Sequence, residues 1–598
     1  MRAAQTGVSP IEEGEQKAQK EVLKRLLSYA FPYWKVLLFA FFLLMLATGL
    51  ELIGPILVQM FIDDHLIPKN FDVPRITLLA SCYFVFYIGA AISMYYQDYL
   101  FQRTAHYIIQ DIRTHIFGCI QHFSIRFFDR MPTGALVSRI TNDTEAIKEL
   151  YVRVLSIFLQ SSIFLVGIFI AMFYLNSRLA FFCLLLVPVI LLLMGVYQRL
   201  SRQAYQLTRQ KLSQINAYLI ESLQGMEMIQ AFNQERRFRQ QFYHLTHQHY
   251  QAHLKTVRLN ALLLRPATDF IYLVIIVLIL GYFGQRSFVS SVEIGVVWAF
   301  VTYLDRFFEP INTMMQNLAP VQQALVAGER VFGLLDQQEE EWLATTKRGV
   351  ADFSIEKGKI EFKNVSFSYL DGQPVLKNIS FVIQPGQTVA FVGPTGSGKS
   401  TVANLLLGFY QISQGQILID DRPLEMYSLK ELRKKIGLVH QDPFLFAGTI
   451  RSNITLNDSS LSAEEMEQAV KWVQADSWIE QLPQQYDQPV KERGSTLSTG
   501  ERQLISLART LVRKPKILIL DEATANIDTE TEEKIKAALD LATQNRTVVM
   551  IAHRLSTVEE ADQIFVLYKG EIVEQGTHQD LLTLGGLYKK MYQLQRGE

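Results

Sequence analysis

Long apolar runs dominate the first half of the chain, and short apolar strands alternating with amphipathic helices fill the second. Residues 36–62, about 76–96, 154–175, 179–197, 267–283 and 294–314 each approach the ~20 residues an α-helix needs to cross a bilayer. Six spans are expected. The first is much longer than a signal-peptide core and no small-residue cleavage site follows it, so it is expected to stay in the membrane. The gaps between the runs are unequal: 63–75, 176–178 and 284–293 are short, whereas 97–153 and 198–266 are long, polar and helix-periodic. Helices that continue past the bilayer for some 25 residues, at about 1.5 Å each, form arms of about 40 Å.

Charge orients this pattern. The long gaps carry Arg103, Arg113, Arg126, Arg130, Arg139, Lys148, Arg199, Arg202, Arg209, Lys211 and further basic residues, and the short gaps only Lys69, Arg75, Arg178 and Arg286. The positive-inside rule makes the long gaps and both termini cytoplasmic. Residues 1–20 read as a loose polar tail, and 21–33 as an amphipathic helix lying along the membrane surface. Two spots, 125–134 and 222–229, combine apolar residues with turn signals, which suits short helices docked on a partner surface. Glu51 lies in the first span and Asp305, Arg306 and Glu309 in the sixth. Such residues are functional candidates inside a membrane. Asp305 and Glu309 share a helix face and suit a cation-attracting wall; the alternatives are neutralisation by Arg306 or an arginine on another helix, or a wet cavity that they line without reading cargo.

Composition also points to a membrane protein. A hydrophobic fraction of 49% exceeds what a soluble enzyme needs, and the excess lies before about residue 320. The 58 basic residues balance the 58 acidic ones, so nothing calls for a nucleic-acid partner. Cys82, Cys119 and Cys183 show no paired spacing, which argues against a disulfide scaffold or a zinc site. The domains expected are a membrane domain over 21–335, a linker over 336–358 and an α/β nucleotide-binding domain over 359–598, where strand alternation begins.

The chemistry concentrates in Gly393-Pro394-Thr395-Gly396-Ser397-Gly398-Lys399-Ser400-Thr401 after the apolar run 388–392. A strand ending in a glycine-rich loop that opens a helix aims successive N–H groups at a phosphate. Lys399 is expected to reach the β and γ phosphates, and the Ser400 hydroxyl to hold Mg²⁺. A second apolar strand, 517–520, delivers Asp521 and Glu522. One carboxylate suits Mg²⁺, and its neighbour can polarise an attacking water. A third, 548–552, ends at His553, a γ-phosphate contact if this strand neighbours the loop, and otherwise a structural histidine.

In order and spacing these residues resemble the ABC exporter half-transporters, from about residue 21 to the end. The resemblance implies an α-helical transmembrane domain of six helices with long cytoplasmic extensions, followed by an α/β P-loop ABC nucleotide-binding domain that uses ATP and Mg²⁺. It places Tyr369 on adenine, Gln441 as the residue sensing Mg²⁺ and the coupling helices, Asp521 as magnesium ligand, Glu522 as catalytic base and His553 as the switch histidine. It makes 525–528 a dimer-contact loop. In the family, ATP lies between the phosphate loop of one domain and the signature motif of another. That motif, usually Leu-Ser-Gly-Gly-Gln, reads Leu497-Ser498-Thr499-Gly500-Glu501 here. Thr499 puts a β-branched side chain where bare backbone approaches the γ-phosphate, and Glu501 puts a carboxylate toward a polyanion. The reading that follows is an ATP-driven exporter of amphipathic or lipophilic cargo in the plasma membrane, half of a heterodimer whose second chain carries an intact signature. The alternatives are a lipid or peptide exporter, a tolerant homodimer, or an ATP-gated regulator or channel.

Overall fold

The computed structural model describes residues 10–263, 265–287, 293–337, 353–369, 372–521, 529–552 and 558–596. The chain divides into two compact units, one made of residues up to 121 with 133–337, the other of 122–132 with the residues from 338 onward.

The first unit is helical. All six apolar runs lie in helices: Trp34–Phe61, Val73–Ile120, Ser156–Leu175, the pair Ser177–Leu184 and Leu186–Gln224, Arg265–Ser287, and Ile294–Gln316. Among the described residues, four helical stretches are long and apolar enough to cross a membrane, Lys20–Leu66, Val73–Ile120, Thr133–Leu175 and Glu235–Gln285. The other two expected spans are helical but fall short for visible reasons. The fourth breaks at Leu185, because Pro188 has no N–H to give to residue 184 and its ring crowds that carbonyl. The sixth contains Asp305, Arg306 and Glu309.

The long arms are helices, as the periodicity predicts. Val73–Ile120 has 48 residues, roughly 70 Å, and buries Ala90, Ser93, Gln97, Phe101, Thr104, Ile108, Ile112 and Ile116 at three- and four-residue spacing. The amino-terminal helix differs from expectation. It runs Pro10–Ala30, so it begins inside the stretch read as a loose tail. Its Val22, Leu26 and Ala30 are buried, Arg25 pairs with Asp336 at 2.5 Å, and Tyr151 donates to the Leu26 carbonyl at 2.5 Å. The apolar face packs on protein, with Leu23 and Leu27 left exposed. Of the charged residues in the spans, Arg306 lies 3.4 Å from Glu51 and not on Asp305 or Glu309, which are exposed.

The second unit is built on two large sheets and one two-stranded pair. Its strands are β1 (Ile360–Phe367), β2 (Leu376–Ile383), β3 (Thr388–Val392), β4 (Gln414–Ile419), β5 (Arg422–Pro423), β6 (Ile436–Val439), β7 (Gly448–Thr449), β8 (Pro489–Val490), β9 (Ile517–Asp521), β10 (Thr547–Ile551), β11 (Gln563–Tyr568) and β12 (Glu571–Gly576). One sheet runs β2-β1-β4-β5 and is antiparallel; another runs β12-β11-β3-β10-β9-β6 and is parallel except for β12; β7 and β8 form a small antiparallel pair of their own. Strands buried on both faces read as unbroken apolar runs, which is why β3 and β9 stand out in the sequence. Phe381 of the first sheet packs on Phe391 and Phe565 of the second, with ring centroids 5.2 Å apart in each pair, so one core serves both. The last linker residues are fastened to this unit by Asp420, whose carboxylate accepts from the N–H groups of Glu356, Lys357, Gly358 and Lys359 at 2.9–3.0 Å.

Candidate nucleotide site

The phosphate loop joins β3 to the helix Lys399–Leu406. Two of its glycines are dictated by space. A Cβ on Gly393 would stand 2.1 Å from the Leu567 carbonyl oxygen, and one on Gly398, whose φ is +106°, 2.6 Å from Leu376. At Gly393 the obstacle is backbone and cannot swing aside; at Gly398 the left-handed backbone itself disfavours any side chain. Lys399 is buried, and its ammonium donates back across the loop to the carbonyls of Gly393 at 2.7 Å and Pro394 at 3.2 Å. Pro394, Thr395, Gly396 and Ser400 are exposed, so the rim of the loop is open to a ligand. The Ser397 hydroxyl is buried with no hydrogen-bond partner among the described residues. A buried hydroxyl left unmatched is costly, and a phosphate oxygen would satisfy it. The loop therefore fits the triphosphate.

Sheet order brings the other groups to this edge. β10 lies between β3 and β9, and Ile551 is level with Phe391 on one side and Asp521 on the other. Asp521 thus ends its strand two strands from the loop, about 10 Å away at ordinary strand spacing. Ser400 and Asp521 offer the hard oxygen ligands that Mg²⁺ takes. The strand that ends just before His553 is the neighbour of β3, as the sequence argument required. Glu522, 525–528 and His553 themselves lie outside the described residues.

Tyr369 follows β1 and is held on three sides. Its hydroxyl donates to Thr401 at 3.2 Å and accepts from Asn404 at 3.4 Å, tying it to the first turns of the phosphate-loop helix. Its ring meets Phe367 and Tyr410 edge to face, with centroids 4.8 and 5.0 Å apart. Each such pair contributes about 0.5–1.5 kcal/mol beyond its buried area.

Gln441 is exposed just after β6. The segment following it is riveted to the signature helix Thr499–Leu511: Arg509 donates to the Asn453 carbonyl at 2.7 Å, the Phe444 carbonyl at 2.9 Å and Asn453 Oδ1 at 3.0 Å. The signature itself caps that helix. Ser498 Oγ accepts from the Glu501 N–H at 3.2 Å, and Glu501 Oε2 accepts from the Ser498 N–H at 2.7 Å. Thr499 accepts from Arg502 at 3.2 Å, and Gly500 is buried. Glu501, assigned from sequence to face a polyanion, is turned onto its own helix end. The Ser-x-x-Glu spacing is a capping-box signal, and that signal was legible in the sequence.

Two residues of this neighbourhood escape a motif reading, Tyr410 and Asp129. Tyr410 donates its hydroxyl to Asp129 Oδ2 in the short helix Ile125–Arg130, a segment that belongs to the nucleotide unit although both its ends continue into the helical one. A turn signal at 125–134 marked the helix, and nothing local marked its partner. The second expected docking helix is Met226–Ala231.

Residues 37–311 match the family described as ABC transporter transmembrane region, and 376–525 match the family described as ABC transporter. A Bacillus subtilis (strain 168) relative, "Probable multidrug resistance ABC transporter ATP-binding/permease protein YheH", is 45% identical over 88% of this chain and 78% of its own length. "Multidrug resistance-like ATP-binding protein MdlB" of Buchnera aphidicola subsp. Schizaphis graminum (strain Sg) is 40% identical over 96% of this chain and 98% of its own. The solved "Structure of a bacterial Atm1-family ABC exporter with ATP bound" superposes with a TM-score of 0.77 at 28% identity, covering 94% of this chain and 98% of that one. With its helical unit joined to a phosphate-loop unit of this topology, the chain belongs to the ABC transporters, as a membrane-embedded exporter half that works as a dimer and hydrolyses ATP.

Proposed function

We propose that this half-transporter exports amphipathic or lipophilic small molecules of the multidrug type from the cytoplasmic side of the plasma membrane, paired with a different, related chain. The cargo class is supported by the multidrug names of the two relatives. The observation that carries the pairing is Thr499. Its side chain, engaged by Arg502, stands at the first helical position of the signature, where the family has a glycine. A γ-phosphate brought to that helix end by another subunit meets a branched side chain instead of bare N–H groups. Glu501 adds less to this argument, because a glutamine would make the same capping bond.

The roles proposed are those of the family motifs, supported for the described residues by the geometry of the loop. Tyr369 offers its ring to adenine. The N–H groups of 393–401, the Ser397 hydroxyl and Lys399 bind phosphate, and Lys399 exchanges its loop carbonyls for phosphate oxygens. Ser400, Gln441 and Asp521 would hold Mg²⁺, which when bound supplies charge neutralisation for phosphoryl transfer. Glu522 takes the proton of the attacking water, and His553 steadies the γ-phosphate. Ser498, Thr499, Gly500 and Glu501 contribute to the second, slower site of the pair.

Reconstitution decides the matter. In proteoliposomes the chain alone is expected to hydrolyse ATP slowly, and a related chain with an intact signature to raise turnover at least about tenfold. Glu522→Gln in this chain then abolishes the gain. Brisk hydrolysis and dye export by the chain alone would overturn the pairing, and turnover surviving Glu522→Gln would overturn the assignment of the base.

A further inference from the structure

Tyr410 is used by no step above, yet it occupies a distinctive position. The phosphate-loop helix ends at Leu406, and Gly408, with φ at +69°, turns the chain back so that the Phe409 N–H bonds the Asn404 carbonyl at 3.0 Å. This reversal sets the Tyr410 ring at 90° to that of Tyr369, with centroids 5.0 Å apart, and 5.7 Å from Phe367. The far end of Tyr410 bonds Asp129. Burial first, and then the Asp129 carboxylate, push the Tyr410 hydroxyl far above its ordinary value, so it remains a donor at any physiological pH.

We propose that Tyr410 is a positioning residue for the adenine-facing ring of Tyr369, and that Asp129 on the cytoplasmic helix Ile125–Arg130 sets its position. The inference rests on the reading of Tyr369 as the adenine contact. Asp129 anchors one end of Tyr410, the Tyr410 ring edge restrains Tyr369, and Tyr369 is pinned to Thr401 and Asn404 of the phosphate-loop helix. The chain of contacts is unbroken from a helix covalently continuous with the membrane arms to the base side of the nucleotide. Linkage then makes the effect reciprocal: whatever shifts the helix changes base affinity, and base binding biases the helix by the same factor.

The contact should act on the base and leave the phosphates alone, which gives the test. With the dimeric transporter in nanodiscs and EDTA present to prevent turnover, binding of ATP and of inorganic tripolyphosphate is measured for each variant. Tyr410→Ala is expected to weaken ATP about fivefold and tripolyphosphate less than twofold. Tyr410→Phe keeps the ring but loses the Asp129 bond, so it is expected to weaken ATP about two- to threefold, less than Tyr410→Ala. Asp129→Ala weakens ATP about two- to threefold in the native background and has no effect on top of Tyr410→Phe, where its hydrogen bond is already gone. Equal weakening of both ligands by Tyr410→Ala, or a full Asp129→Ala effect in the Tyr410→Phe background, would overturn the relay. Native transporter that fails to prefer ATP over tripolyphosphate would instead sink the reading of Tyr369.

Discussion

Glu501 shows how far one side chain's meaning depends on where its atoms point. Read from sequence, its charge opposes a bound polyphosphate. In the fold its carboxylate closes a reciprocal pair with Ser498 at the start of the signature helix, where a negative charge also favours the helix dipole. Two substitutions separate these roles. Glu501→Gln retains the capping bond, so the melting temperature should hold and ATP turnover of the paired transporter should stay within about twofold. Glu501→Ala removes the bond and should cost about 1 kcal/mol of stability in the nucleotide unit. A large rise in turnover for Glu501→Gln would show that the carboxylate acts on phosphate after all. Thr499 has no such local duty beyond accepting from Arg502, which is why the asymmetry argument rests on it.

Helix ends in this chain are closed by two routes. Thr449, Ser462, Ser498 and Thr577 cap their own helices through residues three positions on. The helix Ile294–Gln316 has no such residue: Glu293 precedes it without a side-chain bond, and the Gly295 N–H is taken instead by Asp63 at 2.7 Å from the far end of the first span. The approach is close enough that a Cβ on Gly295 would stand 2.6 Å from both the Asp63 carboxylate and the Gln59 carbonyl. Gly295→Ala is therefore expected to cost about 1–3 kcal/mol, because the obstacle is partly backbone and cannot swing aside. Thermal unfolding of the purified protein reads this directly, and an unchanged midpoint would disprove the contact. Asp63→Asn keeps an acceptor and should be much milder.

Across the nucleotide unit, several surface carboxylates titrate in the same direction. Asp487 is held below the usual carboxylate range by Arg451, Glu465 by Lys514 and the Ser462 N–H, Asp580 by the hydroxyl and N–H of Thr577, and Asp458 by Ser460. Each folded-state value lies below its unfolded one. The stability they lend is present above the unfolded carboxylate value, about 4, and is lost as pH falls through the folded values. The melting temperature should therefore be flat from pH 8 to 5 and decline below about 4. All of these groups are exposed, so the individual contributions are small, and the part owed to Arg451 and Lys514 should shrink in high salt. A decline that begins near pH 6 would point to histidine instead.

Much of the protein is written in neighbouring residues. The six apolar runs, the phosphate loop, the strands that deliver Asp521 and His553, and the Ser498–Glu501 cap all depend on spacings within a strand, a tight turn or one helical turn, so the sequence determines them without reference to the rest of the chain. Apolar residues beside turn signals likewise foretold the short helices at 125–130 and 226–231. The tertiary structure alone decided the partnerships between distant residues. It put Arg306 beside Glu51, Asp63 on Gly295, Asp420 under the linker's N–H groups and Asp129 on Tyr410. It also turned the amino-terminal helix's Val22 and Leu26 inward, where the sequence allowed a membrane surface equally well. The physical reason is that an amphipathic face or a lone carboxylate specifies only the chemistry of its partner. Which partner it meets is fixed by how the chain closes its long loops, and no local pattern encodes that.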